Sequence, residues 1–199
     1  NDRKIVREAI ALTGTSSLAD TDIRCISDGQ RQTIMLARAI AQQPQILILD
    51  EPTSFLDINN KLRLLNILKD LVRNRNIAVI QTLHELDLAQ RFSDKILCIR
   101  NNKADRIGTP EEIFSGDYIS DLYGITSGTF EPMFGTVEAL RIKGKPQVFV
   151  IGGGGSGIPV YRSLQRQGIP FAAGIIHEND VEYQVAKSLA SELVAEKPF

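Results

Sequence analysis

Two adjacent carboxylates, Asp50 and Glu51, directly follow an aliphatic run and precede Pro52. The run Ile46-Leu47-Ile48-Leu49 predicts a short buried strand, and a proline cannot extend a central strand. Asp50 and Glu51 are therefore predicted at the carboxyl end of a core strand, where open α/β sheets bind their ligands. Burial of two ionisable groups requires a compensating cation or proton. A phosphate-bound Mg²⁺ would provide the cation, and the proton would come from an attacking water.

A second candidate for phosphate chemistry lies upstream, where Ser27 precedes Asp28, Gly29, Gln30 and a strongly helix-forming stretch. Ser27 has the chemistry of a helix N-cap, and the residues after it carry apolar side chains at helical spacing. Gly29 allows a backbone or a phosphate to approach closely. Free N–H groups and the positive end of the helix dipole favour an anion there. The pattern predicts a capped helix whose first turn faces a phosphate.

These motifs together resemble the ATP-binding subunit of ABC transporters. The segment ISDGQRQ (26–32) is similar to the LSGGQ signature, and ILILDEPTSFLD (46–57) is similar to the Walker B strand and D-loop. Leu83-His84-Glu85, which follows the apolar strand Ile77 to Ile80, resembles the switch-histidine segment. We therefore expect residues 1–127 to form the C-terminal part of an ABC-type P-loop ATPase domain, an α/β fold with a mostly parallel sheet and helices.

The resemblance implies ATP and Mg²⁺ as cofactors and assigns roles to the motif residues. Asp50 would bind Mg²⁺ through water, Glu51 would act as the general base for the attacking water, and His84 would contact the γ-phosphate. Four further residues are implied at the interface with a second ATPase subunit, the first three closing over its nucleotide: Ser27, Gly29, Gln30 and Asp57.

The segment from His84 to Phe114 further resembles one branch of ABC importers, which takes up iron–siderophore complexes, haem or cobalamin. This resemblance implies iron or cobalamin transport, a membrane permease as a partner and a second ATPase subunit that completes a dimer. A periplasmic or extracellular substrate-binding protein would take part indirectly. It also implies a peripheral location on the cytoplasmic side of the cell membrane.

The sequence departs from the family pattern in two ways. Asp28 occupies a signature position where the commonest version has glycine, which would weaken the phosphate contact unless the carboxylate points away or interacts with Mg²⁺ or a partner residue. The 199 residues also contain no G-x-x-x-x-G-K-[ST] segment, the loop that cradles the β- and γ-phosphates. Because the chain also begins at Asn1, we expect a fragment that has lost an N-terminal part and is inactive by itself.

Composition separates the alternatives. With 23 basic and 24 acidic residues and a pI of about 6.2, the chain lacks the excess positive charge of a nucleic-acid-binding surface. A non-transport ABC ATPase that acts on DNA or the ribosome is therefore the disfavoured alternative.

No apolar run approaches the length of a membrane span. Cys25 and Cys98 are isolated thiols without metal-ligand spacing.

The remaining pattern predicts strands alternating with helices and hence a parallel sheet. Asn59 or Asn60 is expected to cap the helix after the D-loop, and Thr109-Pro110 is expected to open a later helix.

From Gly128 onward the sequence leaves the ATPase pattern, and residues 128–199 are predicted as a C-terminal extension. A strand over Val148 to Ile151 runs into a glycine-rich loop, and a helix is expected near Ile158-Pro159. A second strand (171–176) and a final helix from Val181 to Ala195 would complete a small Rossmann-like β-α-β-α unit. Three glycines of the loop satisfy G-x-G-x-x-G between a strand and a helix: Gly152, Gly154 and Gly157.

Two interpretations of this loop stay open. In the first, the loop binds a phosphate-bearing ligand and makes the extension a regulatory nucleotide-binding module, with Glu178 or Asp180 near a ribose. In the second, the glycines only make a tight turn and allow close packing of helix against strand.

Overall fold

The structure is a computed structural model that describes residues 2–197. Its internal contacts divide the chain into two compact units, with the boundary between Phe92 and Ser93. The boundary between these two units differs from the domain boundary expected from the family resemblance, between residues 127 and 128. That domain boundary stays a prediction.

The first unit places a parallel pair of strands among four helices. The β1–β2 register pairs Ile46 with Ala78 and Leu49 with Gln81, as expected for strands joined by a helical crossover. In chain order the elements are helix α1 (Asp2–Thr13), two 3₁₀ helices (Ser16–Leu18 and Ile23–Cys25), α2 (Asp28–Ala41), β1 (Ile46–Leu49), α3 (Ile58–Arg75), β2 (Ala78–Gln81) and α4 (Leu86–Phe92).

The core of the first unit lies between the helices and the inner face of the two strands. Leu47 of β1 packs there with the apolar stripe of α3, whose members at positions 64, 65, 67, 68 and 71 are buried. Helix α3 begins two or three residues earlier than expected, because the Asp57 side chain caps it in place of Asn59 or Asn60. The other predicted elements of this unit form, but the prediction that β1 is a buried strand is wrong: Ile46 and Ile48 are 58% and 74% exposed, and only the opposite face packs on the core.

The second unit contains two antiparallel hairpins followed by a parallel α/β layer. Asn101 and Asn102 have φ values of 50° and 60° and form the tight turn of the first hairpin. The elements are β3 (Ile96–Arg100), β4 (Lys103–Gly108), α5 (Pro110–Ile113), α6 (Tyr118–Tyr123), β5 (Gly128–Glu131), β6 (Thr136–Ala139), β7 (Val148–Val150), α7 (Ile158–Arg166), β8 (Phe171–His177), α8 (Tyr183–Leu189) and β9 (Glu192–Glu196). As predicted, Thr109 caps α5 in a capping box with Glu112.

The prediction of one long final helix from Val181 to Ala195 is wrong. Helix α8 ends at Leu189, and Glu192–Glu196 forms β9, which pairs in parallel with β8. Alternating side chains allow this, because Leu193 packs on the buried cluster under α7 and α8 while Val194 is exposed. Residues 148–196 therefore form a β-α-β-α-β unit with strand order β7-β8-β9.

Among the helices of residues 2–197, none has the length and apolar character needed to span a bilayer. The α/β fold class predicted from the sequence is confirmed.

Candidate functional site

The parallel pairing of β1 and β2 brings Asp50, Glu51 and Thr82 to one edge of the sheet, because Leu49 stands opposite Gln81. The Thr82 hydroxyl donates to Asp50 Oδ1 over 2.8 Å, and Thr82 Oγ1 accepts the Glu51 backbone N–H at 2.7 Å. One hydroxyl therefore fixes the positions of both predicted site residues. The strand-end placement predicted from the aliphatic run follows directly from this register.

Glu51 and His84 form a direct pair. His84 Nε2 lies 2.7 Å from Glu51 Oε1, and the Ser54 hydroxyl donates to Glu51 Oε2 at 2.8 Å. The hydrogen bond from His84, followed by that from Ser54, holds the pKa of Glu51 below its usual range. The same hydrogen bond to Glu51 raises the pKa of His84. The geometry therefore favours an ionised Glu51 beside a protonated His84.

Both side chains remain accessible to ligands. His84 is 72% exposed and Glu51 is 47% exposed. Glu51 also has a φ of 44°, in the left-handed region that non-glycine residues seldom adopt. Backbone strain of this kind is concentrated at functional sites. The turn thus presents a carboxylate to solvent at the end of β1.

The residues present fit Mg²⁺ bound mainly through phosphates and waters. Asp50 supplies one hard oxygen ligand at the strand end, and Mg²⁺ in nucleotide sites usually takes one or two carboxylates and completes its shell with phosphates and water. Within the described part of the chain, no three His, Cys, Asp or Glu side chains are grouped as an all-protein metal cage. Asp50 is therefore suited to a nucleotide-associated ion.

Ser27 and Gln30 are bonded to each other at the start of α2. Ser27 Oγ accepts the Gln30 backbone N–H at 3.2 Å, and the Gln30 side chain accepts the Ser27 N–H at 2.9 Å. This capping box confirms the predicted cap. Because Ser27 Oγ acts as an acceptor, its hydroxyl proton stays available to donate to an anion.

Gly29 and Asp57 have structural roles at the starts of α2 and α3. A Cβ on Gly29 would lie 3.0 Å from Leu56 Cδ2, so the glycine permits close packing there. Asp57 accepts the Asn60 backbone N–H at 2.9 Å and the Asn60 side-chain amide at 2.7 Å, and the first of these lowers its pKa most. Asp57 is thus a helix cap.

The predicted site residues of the first unit form two groups. Asp50, Glu51 and His84 are joined through Thr82 and through the direct pair. Among residues 2–197, no hydrogen bond joins Ser27, Gly29 or Gln30 to these three. Helix α2 contacts the turn after β1 through Gln32, whose Nε2 donates to the Pro52 carbonyl oxygen over 2.6 Å.

Sequence reasoning missed Thr82, Ser54 and Gln32. Thr82 follows the second apolar strand directly, so its place at the same sheet edge as Asp50 was available from the parallel-sheet prediction. Ser54 lies three residues after Glu51, within reach of a turn. No sequence signal identifies Gln32, because its contact depends on how α2 packs.

The glycine-rich loop of the second unit already donates to carboxylates of its own chain. Gly154 N donates to Asp180 Oδ2 at 2.9 Å, and Gly157 N donates to Glu182 Oε2 at 2.7 Å. Glu182 is fully buried and also accepts the Tyr161 hydroxyl at 3.0 Å. Burial, followed by this bond to Glu182, raises the pKa of Tyr161. The Glu182 carboxylate occupies the anion position beside the loop.

Two glycines of this loop are required by packing. A Cβ on Gly157 would lie 2.5 Å from Tyr161 Cζ and from its hydroxyl oxygen, and a Cβ on Gly152 would overlap Glu182 Oε1. Gly154, with φ of +60°, has nothing within 4 Å of its would-be Cβ. Gly152 and Gly157 therefore permit close approach of helix α7, whereas Gly154 serves the turn.

The amino-acid sequence is similar to those of ABC transporter proteins. A family model described as ABC transporter matches residues 1–54, which include the signature segment and Asp50-Glu51. An uncharacterised ABC transporter ATP-binding protein of Methanocaldococcus jannaschii is 40% identical over 165 residues, which cover 82% of this chain and 57% of that protein. The cobalamin import ATP-binding protein BtuD of Halobacterium salinarum is 32% identical over 206 residues, which cover 100% of this chain and 52% of that protein.

The fold is similar to those of solved ABC ATPases. CbiO1 from Clostridium perfringens, part of the ABC transporter complex CbiONQ, superposes with a TM-score of 0.54 at 26% identity. The match covers 67% of this chain and 51% of that chain. The chain spans about half the length of the curated relatives it matches.

Proposed function

Because the chain belongs to the family of ABC transporter ATP-binding proteins, we propose that it powers an importer of a metal chelate by hydrolysing ATP. The chelate would be cobalamin, haem or an iron–siderophore complex. The observation that carries the proposal is the Glu51–His84 pair beside Asp50 at the end of β1. The cobalamin import protein that aligns with the whole chain supports the direction of transport.

In this mechanism, Glu51 receives the proton of the water that attacks the γ-phosphorus of ATP. Its lowered pKa keeps the carboxylate ionised at neutral pH, so it can polarise that water as a general base. His84, 2.7 Å away, holds the carboxylate in place and contacts the γ-phosphate. Asp50 would hold Mg²⁺ through water, and the ion when bound offsets negative charge on the phosphates.

Ser27, Gly29 and Gln30 are proposed to close over nucleotide held by a second ATPase subunit. The Ser27 hydroxyl proton and the free N–H groups of the first turn of α2 are suited to phosphate oxygens. Asp57, at the start of α3, would transmit closure across the dimer. The dimer would sit at the cytoplasmic side of the membrane on a permease, which an external substrate-binding protein supplies.

For the glycine-rich loop we infer the packing interpretation. Gly152 and Gly157 adjoin Glu182 and Tyr161, and the Gly154 and Gly157 N–H groups already have carboxylate acceptors. A phosphate would have to displace two carboxyl groups that already accept these N–H groups. The alternative, a regulatory nucleotide site at Gly152, Gly154 and Gly157, stays a prediction with a test of its own below.

The test of the proposed function is ATP hydrolysis. We expect the 199-residue chain alone to show negligible activity, because its sequence holds no G-x-x-x-x-G-K-[ST] segment. A polypeptide that joins a family phosphate-loop segment to its amino end should hydrolyse ATP. Glu51→Gln should then lower turnover by about 10²- to 10⁴-fold while ATP affinity changes little.

The matched control is Glu111→Gln, which removes an exposed carboxylate of the second unit and should leave turnover unchanged. Turnover of the Glu51→Gln protein within a few-fold of the parent would exclude Glu51 as the base. Robust Mg²⁺-dependent hydrolysis by the 199-residue chain alone would contradict the expectation of an incomplete site.

A further inference from the structure

The segment that carries His84 is fastened at both ends. At its start, Thr82 bonds to Asp50 and to the Glu51 backbone N–H. At its end, the Glu85 carbonyl oxygen accepts the Ala89 N–H at 2.9 Å, which begins α4. Only Leu83 and His84 lie between these anchors. The freedom of the His84 imidazole therefore depends on how firmly Glu85 is held.

The Glu85 carboxylate is bonded at both oxygens. Lys61 Nζ, on α3, donates to Oε1 at 2.5 Å, and the Thr53 hydroxyl donates to Oε2 at 3.0 Å. Thr53 is 1% exposed and belongs to the same turn as Glu51. The hydrogen bond from Lys61 is the largest cause that lowers the pKa of Glu85. The three side chains join α3, the turn after β1 and the segment after β2.

This cluster is better placed to hold a fixed geometry than a surface ion pair. The side chains of Lys61 and Glu85 are only 22% and 30% exposed, so water screens them less than it screens open pairs. The Lys61 ammonium also offsets a negative charge that stands next to His84 and near Glu51. Without that ammonium, Glu85 would repel the Glu51 carboxylate.

We propose that Glu85, held by Lys61 and Thr53, is a positioning residue that keeps the His84 imidazole against Glu51. The proposal rests on the proposed function, in which the Glu51–His84 pair acts on the attacking water. Glu85 itself touches neither water nor phosphate in this scheme. It acts through its neighbour, by fixing one end of a two-residue link whose other end Thr82 fixes.

The test observes the position of the ring directly, without nucleotide. The chain contains two histidines, so selective isotope labelling resolves the His84 imidazole from that of His177. In the 199-residue chain, a nuclear Overhauser contact should join the His84 ring to the Glu51 side chain at fixed neutral pH. Lys61→Met and Glu85→Gln should each weaken this contact at least twofold.

Two variants serve as matched controls. Lys61→Arg keeps the positive charge and the donor and should preserve the contact. Arg73→Met removes a positive charge from an exposed position of the same helix and should also preserve it. Full strength of the contact in both Lys61→Met and Glu85→Gln would overturn the proposal, even if their melting temperatures fell.

Glu85→Gln keeps the size of the side chain at a partly exposed position, so it gives an answer even if Lys61→Met fails to fold. Because the readout needs no ATP, it also separates this proposal from the proposed function. If ATP is not hydrolysed but the contact between the His84 ring and Glu51 behaves as predicted, only the proposed function is rejected. If the Lys61 and Glu85 variants leave that contact unchanged, only the positioning role is rejected.

Discussion

Two loops that follow parallel strands, the turn after β1 and the glycine-rich loop after β7, use acidic side chains in opposite ways. After β1, Glu51 is 47% exposed and pairs with His84, which is 72% exposed. After β7, Glu182 is fully buried and accepts Gly157 N–H and the Tyr161 hydroxyl. Both loops lie where α/β proteins bind ligands. In the first the polar groups face solvent, and in the second they satisfy one another.

The contrast explains why a glycine-rich motif and a pair of carboxylates differ in value as functional signals. Backbone N–H groups attract any anion, and a carboxylate of the same chain is always present at a high effective concentration. The N–H groups of the loop after β7 therefore have hydrogen-bond acceptors in their own chain and need no ligand to satisfy them. The carboxylates after β1 have only a few local donors, so they stay available for chemistry.

The largest expected effect is the loss of stability when the buried acceptor is removed. Glu182→Ala leaves Gly157 N–H and the Tyr161 hydroxyl buried without a partner. We expect the free energy of unfolding to fall by about 3 kcal/mol, measured by urea denaturation. Glu178→Ala, at an exposed position nearby, should change it by less than about 0.5 kcal/mol. Equal effects of the two substitutions would break the comparison.

The second prediction compares two glycines of the loop after β7. Gly157→Ala forces a Cβ to within 2.5 Å of the Tyr161 ring, and we expect a loss of about 2 kcal/mol from such overpacking. Gly154→Ala meets open space and bears only the cost of a left-handed backbone, about 1 kcal/mol. Thermal unfolding should therefore rank the two variants in this order. The reverse order would argue that the glycine at position 154 serves more than the turn.

The third prediction concerns ligand binding at the glycine-rich loop, for which we expect no change in melting temperature. Inorganic phosphate and nicotinamide dinucleotides should leave the melting temperature of the chain unchanged, since the Gly154 and Gly157 donors are occupied. A bound ligand at one hundred times its Kd would add about 2.7 kcal/mol of stability. A stabilisation of that size that Gly154→Val abolishes would establish the phosphate interpretation, provided the stability of the variant is also measured without ligand.

The smallest expected effect is the pH dependence of the exposed pair. His84 has a pKa raised above its ordinary 6.5, so its contribution is present below that pH and lost as pH rises through the raised value. Glu51 has a pKa lowered below 4.5, so its contribution is present above that pH and lost as pH falls through the lowered value.

The pair should therefore stabilise the chain most between about pH 4.5 and 6.5, where both charged forms are favoured. The measurement is the difference in melting temperature between the parent and His84→Gln from about pH 3 to about pH 9. A difference that grows above pH 8 would contradict the assignment, as would a maximum below pH 4, at about the ordinary pKa of a carboxyl group.

Short-range features were predictable because the groups that form them are close in sequence. The Ser27 capping box and the Thr109 cap each join residues three positions apart. The aliphatic run Ile46 to Leu49 and the proline after it indicated the strand and its end. Even at this range choices remain, since Asp57 and not Asn59 or Asn60 caps α3.

The C-terminal part was predicted less well for a related reason. The segment from Val181 to Ala195 has apolar residues that suit a helix, yet only Tyr183–Leu189 is helical. The last residues instead complete a parallel sheet beside β8, which offers its edge to β9. Local pattern could not reveal that edge, because it depends on a strand formed earlier in the chain.

The sequence by itself determined the family, the α/β class, and the placement of Asp50 and Glu51 at a strand end. Tertiary structure alone decided which groups those carboxylates meet. His84 reaches Glu51 across 33 positions, and Glu182 reaches Gly157 across 25. Such distant partners are set by strand register and by which helix covers which face. Whether a loop offers its polar groups to a ligand or uses them internally depends on those packing choices.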